Sequence, residues 1–174
     1  MGVFISNDTS ELLKSMCRTF NFILNHDSEQ LTPTLRHLVF PAQTGIGKSV
    51  SLQVYVSMLV QPSSLIVVAK VEEAISYCEK INQLSGNPNY ARCYYAITDT
   101  NKDHALRLDA AELYTAQCLV ITHNMFKRVN GLDNTDLFSL YQGQPRKFIA
   151  IDEKLSFYEQ KQLTYAQLDS FIDK

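Results

Sequence analysis

Residues 42 to 49 read Ala42-Gln43-Thr44-Gly45-Ile46-Gly47-Lys48-Ser49, and the rest of the chain is read outward from them. The stretch follows the pattern G-x-x-x-x-G-K-[ST], with Ala42 in place of the first glycine. A loop of this kind cradles phosphate. Gly45 and Gly47 let the backbone turn tightly and aim N–H groups inward at phosphate oxygens. The Lys48 ammonium is expected to reach the β- and γ-phosphates, and the Ser49 hydroxyl to ligate Mg²⁺. The N-terminus of the next helix would point at the same anion. Thr44, Gly45, Ile46, Gly47, Lys48 and Ser49 are therefore the candidate phosphate-binding residues. A glycine-rich strand-to-helix turn with no ligand is the bland alternative.

Such a loop needs a strand before it and a helix after it. Leu38-Val39-Phe40 is a short apolar run of strand type in the first position. The second position reads two ways. Val50, Leu52, Val54, Val56 and Met58 alternate like a strand, whereas Leu52, Tyr55, Val56 and Leu59 fall at i, i+3, i+4 and i+7. A helix is expected, because tertiary context overrides intrinsic propensity.

Further along lie four apolar runs, Leu65 to Ala69, Cys93 to Ile97, Cys118 to Ile121 and Phe148 to Ile151. Runs this short and this free of charge suit strands buried on both faces of a parallel sheet. Helical spacing covers Val71 to Leu84, ended by Ser85-Gly86-Asn87-Pro88, and a second helix is expected over Ala105 to Ala116. Asp8-Thr9-Ser10-Glu11 reads as a capping box opening a helix through Leu12, Leu13, Met16, Phe20, Ile23 and Leu24. Residues 1–37 are thus expected to form an N-terminal helical extension. Leu163, Ala166, Leu168, Phe171 and Ile172 point to a last helix. Strand and helix alternating in this way predict a three-layer α/β domain with a mainly parallel sheet, over residues 1–174 as one unit.

The 174 residues fit one domain with a proper core. Sixteen basic and eighteen acidic residues give a net charge of −2, which argues against a strongly basic nucleic-acid binder but leaves room for a local basic groove. No apolar run is long enough to span a membrane, and the first residues lack the charged-then-apolar order of a secretory signal. The cysteines Cys17, Cys78, Cys93 and Cys118 form no C-x-x-C pair and are expected to be buried thiols in a reducing compartment, so a cytoplasmic location with no membrane partner is expected.

A second informative stretch is Phe148-Ile149-Ala150-Ile151-Asp152-Glu153. An apolar strand that ends in Asp-Glu is the Walker B arrangement. Asp152 would hold Mg²⁺, directly or through water, and Glu153 would orient and activate the attacking water. Many buried strands end in solvated acids, so the pair gains its meaning from the phosphate loop. Lys48 and Glu153 are the candidate catalytic residues, and Ser49 and Asp152 the candidate metal ligands.

Taken together, residues 38–153 resemble the first RecA-like domain of superfamily-2 helicases, the group that holds DEAD-box and DEAH-type proteins. The family's first motif reads approximately A-x-T-G-x-G-K-[ST], which includes the alanine at position 42, and its second motif begins Asp-Glu. Leu65-Ile66-Val67-Val68-Ala69-Lys70 looks like the strand leading into motif Ia, and Cys118-Leu119-Val120-Ile121-Thr122-His123 like the strand ending in Thr before the family's nucleic-acid contacts. The resemblance implies a P-loop NTPase of RecA-like fold that uses ATP and Mg²⁺. It implies single-stranded nucleic acid as a partner, with Lys70, Thr122, Lys127 and Arg128 as candidate contacts. A solvated helix face is the competing reading of Lys127 and Arg128. It implies a second RecA-like domain, in cis or in trans, which carries the family's arginine fingers. The chain is accordingly expected to be a fragment, with very low ATPase activity alone.

The departures are specific. Lys154-Leu155 follows Asp-Glu where the family has Ala-Asp or Ala-His, and Lys70-Val71 stands where motif Ia carries Pro-Thr. No adenine-reading Q motif is evident. These differences place the chain outside the standard DEAD-box subgroup. Asn101-Lys102-Asp103-His104 lacks the final Asp of a guanine-reading N-K-x-D. A P-loop small-molecule kinase and a non-catalytic P-loop interaction domain remain as alternatives, although no arginine-rich lid follows Arg146.

Overall fold

The computed structural model describes residues 7–25, 47–59, 62–97, 104–130 and 136–153. The expected strand at 38–40, residues 42–46 of the phosphate loop and the expected tail helix lie outside them. The chain runs α1 (Asn7–Asn25), α2 (Lys48–Ser57), β1 (Ser64–Val68), α3 (Val71–Ser85), β2 (Ala91–Tyr94), a 3₁₀ turn (Ala110–Thr115), β3 (Cys118–Thr122), α4 (His123–Asn130), α5 (Asp136–Ser139), the short strands β4 (Leu140–Tyr141) and β5 (Gln144–Pro145), and β6 (Phe148–Ile151).

Four of the strands form one parallel sheet in the order β2-β3-β1-β6. From β1 the chain crosses through α3 to β2, passing over β3. From β3 it returns in the opposite direction, beyond β1, to β6. Right-handed crossovers in opposite directions must lie on opposite faces of a sheet. The side chains obey that rule. Ile66, Val68 and Val120 enter one core with Ala74, Tyr77, Cys78 and Ile81 of α3. Leu65, Val67, Leu119 and Ile121, one residue out of phase, enter a second core with Leu113 and Phe138, against Met125 and Phe126 of α4. Every residue of β1 and β3 is buried, as expected for central strands covered on both sides. Each such Val, Leu or Ile contributes about 1.5–3 kcal/mol of burial. The result is an α/β fold compatible with a Rossmann or RecA-like arrangement.

The ambiguous segment after the loop is helical. α2 buries Leu52, Tyr55 and Val56 and leaves Val50, Val54 and Met58 exposed, so the alternation seen in the sequence is a two-sided helix. α1 starts at Asn7, ahead of the capping-box residues, and docks through Met16 and Phe20. Phe20, Tyr55 and Phe148 pack together, with ring centroids 5.0 Å apart for Phe20–Tyr55, 5.4 Å for Phe20–Phe148 and 5.8 Å for Tyr55–Phe148. The N-terminal helix is therefore an integral part of the core.

Two expected elements differ. The helix expected over Ala105 to Ala116 is confined to the 3₁₀ turn Ala110–Thr115. Leu106 to Leu108 lie beside β2 instead: the Cys93 N–H donates to the Leu106 carbonyl at 2.9 Å, and the Leu108 N–H to the Cys93 carbonyl at 2.9 Å. Backbone groups committed to a strand cannot also close helical turns. The strand expected over Cys93 to Ile97 is Ala91–Tyr94, where pairing with β3 ends at Tyr94 opposite Ile121.

At the amino ends of the strands, β4 and β5 make a small hairpin whose two turn residues, Gln142 (φ 50°) and Gly143 (φ 79°), are both left-handed. It delivers the buried Arg146. Its Nε donates to the Phe138 carbonyl at 2.9 Å. Nη1 donates to the carbonyls of Ser64, Ala116 and Gln117 at 3.1, 2.8 and 3.2 Å, and Nη2 to that of Leu113 at 3.0 Å. Burial pulls this guanidinium down to about 10, so at neutral pH it remains charged and donating. Among the described residues no helix is long and apolar enough to cross a membrane.

Candidate nucleotide site

α2 begins immediately after Gly47, whose backbone is left-handed (φ 90°, ψ 18°), a conformation that glycine adopts without the Cβ penalty. The first intrahelical bond runs from the Ser51 N–H to the Gly47 carbonyl at 2.9 Å. The amides of Lys48, Ser49 and Val50 precede it in the first turn, the groups a helix N-terminus offers to an anion. Lys48 and Ser49 are both half-buried.

β6 brings Asp152 to this helix start. The Asp152 N–H donates to the Val67 carbonyl at 2.8 Å, which extends the β1–β6 ladder past the last paired residues. From that anchored backbone the carboxylate reaches α2, and the Ser49 hydroxyl donates to its Oδ2 at 2.7 Å. The Tyr77 hydroxyl of α3 donates to the same oxygen. Burial, and then the carboxylate itself, push the Tyr77 phenol well up, so it stays protonated and a donor.

The turn after Asp152 is also held. His123 Nε2 lies 3.1 Å from the Asp152 carbonyl. A carbonyl only accepts, so Nε2 carries the proton. Glu153 follows with φ 69°, in the left-handed region that costs a non-glycine residue about 1–2 kcal/mol, and its side chain is exposed.

The remaining named residues lie at the same edge of the sheet. Lys70 is the exposed N-cap of α3, where the Glu73 carboxylate accepts from the N–H groups of Ala69 and Lys70 at 3.1 and 3.2 Å. Thr122 is opposite Val68 in the β1–β3 register. It is buried, and its Oγ1 accepts from the Met125 N–H at 3.4 Å, so its hydroxyl caps α4. Lys127, half-buried, and Arg128 are on α4. The structure brings Ser49 and Asp152 into contact and sets Lys48 beside Ser49. Thr44, Gly45 and Ile46 lie outside the described residues.

The donor set fits Mg²⁺. Among the described residues no three His, Cys, Asp or Glu side chains cluster as a metal cage. A hydroxyl and one carboxylate oxygen 2.7 Å apart remain. These are hard oxygens, and Mg²⁺ is typically held by one or two carboxylates together with substrate phosphates. Tyr77 and His123 escaped the sequence reading as parts of this site. Tyr77 had a usable signal, because Ala74, Tyr77, Cys78 and Ile81 form one buried stripe of α3. A tyrosine within such a stripe needs a partner for its hydroxyl.

No protein-family model, curated protein or solved structure matches the chain.

Proposed function

We propose that this chain binds ATP with Mg²⁺ as the ATP-binding domain of a DEAD/DEAH-type helicase or translocase. Joined to a second RecA-like domain, it would couple hydrolysis to nucleic-acid remodelling. The observation that carries the reading is the Ser49–Asp152 bond of 2.7 Å. It joins the hydroxyl of the Gly-Lys-Ser sequence to the acid at the end of β6, two groups far apart in the chain that a P-loop NTPase must bring to one cation.

In this reading the first-turn amides of α2 and the Lys48 ammonium hold the phosphates. Ser49 and Asp152 would hold Mg²⁺, which would supply charge neutralisation for the phosphates. Glu153, exposed at the turn, orients the attacking water and accepts its proton. Lys70, Lys127 and Arg128 would meet the backbone of a single strand at the same sheet edge. Thr122 would contribute by fixing the start of α4.

Calorimetry with Mg-ATP on the wild type and Lys48→Ala tests the first half. Loss of a charge-assisted phosphate contact should cost roughly 1.5–3 kcal/mol. Equal affinities would remove the reading. A salt titration of fluorescent single-stranded oligonucleotide binding tests the second half, since phosphate contacts weaken with salt and ignore sequence. ATP binding with no oligonucleotide binding at low salt, even with a second RecA-like domain joined, would favour a P-loop kinase or a non-catalytic interaction domain.

A further inference from the structure

Tyr77 is only 5% exposed, yet its hydroxyl is bonded to a carboxylate rather than to backbone. Tyr90, equally buried, shows the ordinary solution, with its hydroxyl on the carbonyls of Val56 and Leu59 at 2.9 and 2.7 Å. Tyr77 instead shares Oδ2 of Asp152 with Ser49. One carboxylate oxygen has two lone-pair directions, so both donors can be accommodated. The torsion that turns an aspartate carboxylate is broad, and one hydroxyl restrains it poorly. When the Ser49 oxygen turns a lone pair toward a cation its hydroxyl must rotate, which re-aims the O–H that it donates to the carboxylate. The donor from α3 does not depend on that rotation.

We propose that Tyr77 is a positioning residue for the cation site: its hydroxyl fixes the Asp152 carboxylate in the orientation that meets Ser49, and it keeps that bond when Mg²⁺ and nucleotide bind. The proposal rests on the Mg-nucleotide reading above. It assigns the site a third element, α3, beyond the two that the sequence motifs mark.

Tyr77→Phe removes one oxygen and leaves the packed ring. Calorimetry would measure ATP affinity in EDTA and in Mg²⁺ for the wild type and the variant, with thermal unfolding of both as a check on the fold. The Mg²⁺-dependent gain in affinity should fall about 10–100-fold, as for other hydrogen-bond partners of metal ligands, while affinity in EDTA stays the same. An undiminished gain in the variant overturns the proposal alone. Equal losses with and without Mg²⁺ assign Tyr77 a packing role and also overturn it. A wild type that gains nothing from Mg²⁺ overturns the nucleotide reading together with it. A second measurement covers a variant that does not fold. In wild type labelled with ¹³Cζ-tyrosine, the Tyr77 resonance should keep its carboxylate-bonded position when Mg²⁺ is added to the ATP complex, and a move to the position of a phenol bonded to water overturns the proposal.

Discussion

At the amino ends of the strands, Arg146 donates to five backbone carbonyls, those of Ser64, Leu113, Ala116, Gln117 and Phe138. At the carboxyl ends, Ser49 and Tyr77 converge on one carboxylate oxygen, and His123 holds the carbonyl of the same residue. Both ends join several elements through polar bonds, but the acceptors differ. Main-chain carbonyls pinned by strands and turns have nowhere to go, and the buried guanidinium reaches five of them at once. A half-buried carboxylate and a hydroxyl can trade partners with a ligand. One end of the sheet is thus closed by bonds that serve stability, and the other holds one bond, Ser49 to Asp152, that a ligand could exchange.

The largest effect is expected where the carbonyls are trapped. Arg146→Ala leaves several buried acceptors without a donor, at about 1–3 kcal/mol for each one that water cannot reach. A total loss above about 3 kcal/mol in chemical denaturation would follow, and a loss within error of zero would break the contrast. Gly47→Ala should be intermediate. Among the described residues a Cβ there meets nothing within 4 Å, so the cost is the left-handed backbone, about 1–2 kcal/mol. Ser49→Ala should be smallest in stability, because water can replace the hydroxyl at a part-buried carboxylate. The same change should abolish most of the Mg²⁺-dependent part of ATP binding. A variant that unfolds readily but binds Mg-ATP like wild type would place Ser49 with Arg146 rather than opposite it.

The central strands and α3 were legible because their patterns are local. Cys118 to Ile121 is an unbroken apolar run that the fold buries on both faces, and Val71 to Leu84 shows its buried stripe at helical spacing with a glycine stop. The segment from Ala105 to Ala116 misled because its helix-forming residues are outbid by a partner distant in sequence. Arg92 reinforces that pairing, with Nη2 donating to the Ala105 carbonyl at 3.0 Å and Nε to that of Leu106 at 3.3 Å. Ser49 and Asp152 could be named as candidates from motifs. Their contact, and the arrival of Tyr77 and His123 beside Asp152, depend on sheet order and crossover direction, which no short stretch of sequence encodes.

The Phe20, Tyr55 and Phe148 rings also act on the site from a distance. Tyr55 is on the helix that starts at Lys48, Phe148 is on the strand that leads to Asp152, and Phe20 of α1 touches both. The three rings therefore tie the spacing between the two halves of the site to the N-terminal helix. On the proposed Mg-nucleotide reading, the two halves would meet the ligand already aligned, and affinity would be tunable from α1 by residues that a survey of ligand contacts would never select.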